Sequence, residues 1–211
     1  MPLLDPTPIK LHRIGIGSPV VLLHGIGETH EMWDCIAPLV DRFEMIAYDF
    51  PGHGNAAPPH GVCEIESLSD QLFALLTMAG IDRTHVVGSC LGGMVAQHFA
   101  ATWPDRVDRL VLCDTTPALS EGMREEFLSE ASHGPLHGAM ARADLLDLAE
   151  EIFAPTLVLC AEGAAPEMRE GAEFLARSIA RGKLAYVIGA ARNVVMEQPR
   201  WAMRVLRDFL G

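Results

Sequence analysis

Short, nearly continuous apolar runs alternate along the chain with longer stretches in which apolar residues recur at helical spacing. The short runs are VVLL from Val20, MIAY from Met45, HVVG from His85, RLVLC from Arg109, TLVLC from Thr156 and LAYVI from Leu184. Because they lack polar alternation, they predict strands buried on both faces. IKLHRI, just before a turn at Gly15 to Ser18, predicts an edge strand. The longer stretches predict helices. Leu68, Leu72, Leu75, Leu76 and Ala79 form one stripe, with Ser67 as its candidate cap and Gly80 as its stop. Met168, Ala172, Leu175 and Ile179 form a second, ending near Gly182. Trp201, Val205, Phe209 and Leu210 form a third, with Pro199 in its opening turn. All three stripes read as core packing. The repetition predicts an α/β fold, a mostly parallel central sheet with helices on both faces and its active site at the carboxyl ends of the strands.

Two stretches break this rhythm. Asn55 to Val62 is a proline and glycine loop, and residues 115–142, with His133, His137 and three glycines, read as a loop or a short helical cap over the strand ends. At 211 residues and 49% hydrophobic, the chain supports one substantial core, so residues 1–211 read as a single domain with 115–142 as its lid segment. Sixteen basic against 28 acidic residues give a net charge of −12 without any basic run, which argues against nucleic acid and anionic membrane as partners. The opening MPLLDPTPIK lacks a charged and apolar leader pattern, and no run approaches the ~18 apolar residues that span a bilayer. The expectation is a soluble cytoplasmic protein. The five cysteines show no C-x-x-C pair, which argues against a disulfide framework and a zinc site. Neither a dinucleotide fingerprint nor metal-ligand spacing occurs, so no cofactor and no metal are expected.

The chemistry-bearing motif is VVGSCLGG, Val86 to Gly93, which follows a strand and opens a helix through Met94, Val95, His98 and Phe99. Gly88 and Gly92 frame a sharp turn whose tip is Cys90, with Ser89 one place off the frame. LLHGIG, Leu22 to Gly27, sets the N–H of Ile26 opposite that of Leu91, a candidate oxyanion hole. YDFPGHG, Tyr48 to Gly54, is a glycine turn after the next strand.

In this order and context the three motifs resemble the α/β-hydrolase superfamily, in particular the branch of 3-oxoadipate enol-lactonases and related esterases. The resemblance extends to RLVLCDTTP, IFAPTLVLC and the closing EQPRWAMRVLRDFL, so it covers nearly the whole chain and implies the α/β-hydrolase fold with a shortened cap. It implies Cys90 as nucleophile, a cysteine also found there in dienelactone hydrolases. Two triad positions depart from the family. The acid position after the PTLVL strand holds Ala164, and the histidine position before Glu197 and Pro199 holds Arg192, with no histidine after His137.

Cysteine without histidine must attack as a thiolate. The elbow helix and Arg192 are expected to lower the Cys90 thiol, and a fall from ~8.5 to ~7 gains roughly tenfold, about 1.5 kcal/mol. Losing a triad costs ~5–8 kcal/mol. An ordinary fast esterase is therefore not expected. The leading expectation is an enzyme acting on a small ester, lactone or enolisable acid, by cyclisation, rearrangement, elimination or acyl transfer, with Arg192 clamping an acidic group. A slow cysteine hydrolase would instead use Asp114 or Glu162 with His133 or His137. His24 and Gly25 are candidate substrate contacts, although His24 and His53 also suit a structural role in their glycine turns. His85, His98, Cys113 and Cys160 read as packing. A catalytically silent ligand-binding or partner protein on the same fold is the remaining alternative. The expected partner is a small-molecule substrate or ligand, and a thin lid leaves room for a homo-oligomer.

Overall fold

The computed structural model describes residues 9–59, 61–129 and 134–211. Among these, seven strands form one sheet: β1 (His12–Ile14), β2 (Ser18–Leu23), β3 (Phe43–Ala47), β4 (Thr84–Ser89), β5 (Val107–Cys113), β6 (Thr156–Ala161) and β7 (Gly182–Val187). Their spatial order is β1-β3-β2-β4-β5-β6-β7. Only β1 is antiparallel, and it lies at one edge as the IKLHRI pattern predicts.

Strand side chains alternate between two cores. Val21, Leu23, Val86, Leu110, Leu112 and Val158 face one of them, which is closed by α1 (Ile65–Met78), α2 (Leu91–Thr102) and α5 (Pro166–Ser178). Val20, Leu22, Val87, Val111, Leu157 and Leu159 face the other. The second core is closed by α7 (Pro199–Leu210) and by a 3-10 helix at His30–Asp41, which the sequence pattern did not suggest. Two apolar environments explain why the strand runs carry no polar alternation.

The helices differ from expectation in detail. The first begins at Ile65 rather than after Ser67, with Glu64 as its N-cap making no side-chain cap bond. The Glu64 carboxylate instead accepts from Arg142 Nε at 2.9 Å. Gly80, at φ 71°, ends that helix as expected, since a side chain is disfavoured there. The fully buried row of α7 is Ala202, Leu206 and Leu210; the predicted stripe shares Leu210 with it, and its Trp201, Val205 and Phe209 pack half-buried against the same core.

Residues 115–142 hold two short helices, α3 (Glu121–Ser129) and α4 (Pro135–Arg142). A four-residue helix, α6 (Val194–Glu197), follows β7. The register pairs Leu23 with Gly88, Ser89 with Cys113, and Cys113 with Leu159. The carboxyl ends of β2, β4, β5 and β6 therefore lie side by side.

Candidate active site

Cys90 sits between β4 and α2 at φ 49° and ψ −112°, a conformation disfavoured for any side-chain-bearing residue. Its N–H donates to the Cys113 carbonyl (3.0 Å), and its own carbonyl accepts from Gly93 N, Met94 N and Thr115 Oγ1. Close backbone packing explains the flanking glycines. A Cβ on Gly88 would overlap the Gly92 carbonyl, and one on Gly92 would overlap that of Leu23.

The amides of Ile26 and Leu91 both donate toward the Cys90 sulfur. Cys90 lines a cavity of about 40 Å³ with Met94, Asp114, Thr115, Thr116, Leu119, Met123, Phe127, Met140 and Met168. Met123 and Phe127 come from α3 and Met140 from α4, so residues 115–142 supply one wall. A smaller void of about 10 Å³ lies between the sheet and α7, away from these strand ends.

The expected lowering of the thiol is overturned. Burial raises Cys90 above the ordinary thiol range, the two amide donors oppose this, and the carboxylates of Glu28 and Asp114 add to it. Desolvation of the sulfur thus outweighs the helix N-terminus, and the thiol stays protonated at neutral pH.

Asp114 stands on the cavity wall at φ 46°. Its Oδ1 accepts from Ala161 N (3.1 Å) and its Oδ2 from Val194 N (2.8 Å). Burial nonetheless pushes its carboxyl up to about 7, helped by Glu197 and Glu28. At neutral pH it is divided between acid and carboxylate.

Other expected site residues lie elsewhere. Arg192 is exposed and does not line the cavity; its backbone N–H donates to Glu197 Oε1 at 2.9 Å. The clamp expected of it is not assembled. Glu162 is also exposed and accepts from Gly189 N. His24 is fully buried rather than open to substrate: Nδ1 donates to the Gly25 carbonyl (2.7 Å) and Nε2 accepts from Phe50 N (2.9 Å). Burial lowers it to about 4, so it is neutral with a fixed tautomer. His53 accepts from Gly27 N at 3.0 Å, and the two imidazoles tie the Ile26 loop to the turn after β3. His137 lies beside the cavity wall, its ring 5.7 Å from that of Phe127. His133 lies outside the described residues.

Two residues that the motifs did not point to complete the arrangement. Glu28 Oε2 accepts from Gly25 N (2.9 Å), and Glu28 Oε1 accepts from Asn193 Nδ2 (2.7 Å). Asn193 also caps α6, its Oδ1 accepting from Met196 N. The N–H groups of Ala191, Arg192 and Asn193 converge on Glu197, whose carboxyl they hold below its usual range. The only advance signal was a carboxylate two residues beyond Ile26.

Among the described residues, no group of three or more His, Cys, Asp or Glu is placed to hold a metal ion. No described helix is long and apolar enough to cross a membrane.

The sequence is 38% identical over 108 residues to a 2-hydroxy-6-oxo-2,4-heptadienoate hydrolase of Pseudomonas putida, covering 49% of this chain and 39% of that one. Matches of this kind span 29% to 42% of the curated relatives' length. In three dimensions the chain superposes on a hydrolase from Pseudomonas aeruginosa with a TM-score of 0.89 at 24% identity, covering 99% and 97% of the two chains. It superposes on the enol-lactonase from Burkholderia xenovorans with a TM-score of 0.83 at 22% identity, covering 96% of each. Because residues 18–135 match the family defined by the alpha/beta hydrolase fold, the chain belongs to the α/β-hydrolase family.

Proposed function

We propose that this α/β-hydrolase-family chain is an enzyme acting on the carbonyl of a small, uncharged ester or lactone, with Cys90 as nucleophile and residues 115–142 as its lid. One observation carries this reading. Cys90 is held in a disfavoured backbone conformation that faces its sulfur with the Ile26 and Leu91 amides. A carbonyl carbon bonded to that sulfur would place its developing oxyanion between the two donors. The cavity's thioether and aromatic lining suits a compact apolar acyl group. With Glu28 and Asp114 beside the sulfur and Arg192 exposed, an uncharged substrate fits better than an acid anion. The names of similar proteins, a heptadienoate hydrolase and an enol-lactonase, support carbonyl chemistry.

The test is incubation with p-nitrophenyl acetate, followed by intact mass of wild type and Cys90→Ala. The expected result is one acetyl group per wild-type chain, mapped to Cys90, and none in the variant. Equal labelling of both proteins, or of neither, would overturn the reading.

A second reading, a silent ligand-binding protein, is favoured by the raised, protonated thiol. It expects a ligand to bind Cys90→Ala as tightly as wild type, with no acyl transfer in either.

A further inference from the structure

We infer that Glu28 is the proton-transfer residue of this site, standing in for an imidazole at the position Arg192 occupies; this rests on the acylation of Cys90 proposed above. A protonated thiol can attack a carbonyl only if a neighbouring base takes its proton as the C–S bond forms. The placement of Glu28 meets that need. A Cβ added at Gly25 would lie 2.6 Å from Glu28 Oε2 and 3.2 Å from Cys90 Cβ, so the carboxylate and the cysteine both border the space that a side chain at Gly25 would take. The next residue, Ile26, supplies one of the amides that reach the sulfur.

The carboxylate is also held in place. Gly25 N fixes one oxygen and Asn193 Nδ2 the other, and each oxygen keeps a further acceptor position. The Asn193 amide cannot turn without losing its bond to Met196 N. Asn193 is thus a positioning residue, linking the loop that replaces the family's histidine segment to the oxyanion loop. Asp114, the other carboxylate beside the sulfur, ties the β6 and α6 ends together through its two oxygens.

The reaction balances without a co-reactant other than water. In acylation the Cys90 sulfur bonds to the carbonyl carbon while its proton passes to Glu28, and the Ile26 and Leu91 amides hold the oxyanion. Collapse breaks the carbon–oxygen bond to the leaving alkoxide, which takes the proton from Glu28. In deacylation water adds to the thioester carbon and gives a proton to Glu28. Collapse then breaks the C–S bond and the proton returns to sulfur. The sum is ester plus water giving acid plus alcohol.

The experiment follows acetyl gain and acetyl loss separately, by intact mass of the full chain after a pulse of p-nitrophenyl acetate. Glu28→Gln is expected to lose acetyl on the order of 100-fold more slowly than wild type. Glu28→Asp keeps a carboxylate, so its rate should be intermediate. A folded Glu28→Gln with the wild-type rate overturns the role of Glu28 while leaving Cys90 as nucleophile. If Glu28→Gln does not fold, Glu28→Asp decides alone: slower loss supports the role, and a wild-type rate overturns it. A wild-type chain that takes no acetyl on Cys90 overturns both readings.

Discussion

The strand ends on the two sides of Cys90 are held by different means. On the β2 and β4 side the geometry comes from backbone packed against backbone. Gly92 lies against the Leu23 carbonyl, Gly88 against Gly92, and Cys90 is forced to φ 49° between them. On the β5 to β7 side the same task falls to carboxylates. Asp114 joins the ends of β6 and α6, Glu197 gathers three successive amides, and Glu28 reaches Asn193. The first kind of construction tolerates no change of side chain. The second lets a loop keep its shape because carboxylates meet the amides it must satisfy.

The sharpest way to break this contrast is Gly92→Ala. Its Cβ would overlap backbone that cannot move without shifting β2, so a loss of about 3 kcal/mol or more in urea unfolding is expected. A loss below about 1 kcal/mol would mean that the elbow relaxes freely.

Next in size is a pair of pH effects of opposite sign. The Asp114 carboxyl is raised from 3.8 to about 7 in the folded chain, so between those values the folded state binds the extra proton. Stability from this group therefore rises as pH falls from 8 to 5, by roughly 2 kcal/mol. Wild type minus Asp114→Asn, measured by urea unfolding at both pH values, should show this gain. His24 is lowered from 6.5 to about 4, so its contribution is present above 6.5 and is lost as pH falls through that window. His24→Ala should weaken the fold at pH 8 by about 2 kcal/mol through two lost buried hydrogen bonds, and the difference from wild type should shrink toward pH 4. If the two variants move in the same direction with pH, the burial argument for one of them fails.

The smallest expected effect is that of Asn193→Ala, which removes a helix cap and one bond to Glu28. About 1 kcal/mol in thermal or urea unfolding is expected. A null result would place the strength of this side in Glu197 and Asp114.

How much of this could be read beforehand follows from where the physical information lies. The strands were legible because burial on both faces writes a continuous apolar run. In α7 the pattern points to Leu210 and to the half-buried Trp201, Val205 and Phe209 but not to Ala202, which carries little hydrophobic signal beside Trp201. The segment His30–Asp41 escaped because it buries Trp33, Ile36 and Leu39 at three-residue spacing, the period of a 3-10 helix. The lid helices were faint because α3 buries none of its residues. In the site, the glycine frame pointed to Cys90 and the strand end to Asp114, since both are local features. The Glu28–Asn193 bond joins residues 165 apart and leaves no local mark. The direction of the thiol shift was misjudged because a motif reveals the helix N-terminus but not how deeply the sulfur is covered.

The central claim is that Cys90 is presented to a pair of amides yet held protonated, so that it reacts only with help from a neighbouring base. The most direct test is the rate of carbamidomethylation of Cys90 by iodoacetamide from pH 6 to 10, read by peptide mass. The account predicts alkylation slower than that of free cysteine at pH 7, with a rate still climbing above the ordinary thiol range. A rapid rate already level at neutral pH would contradict it.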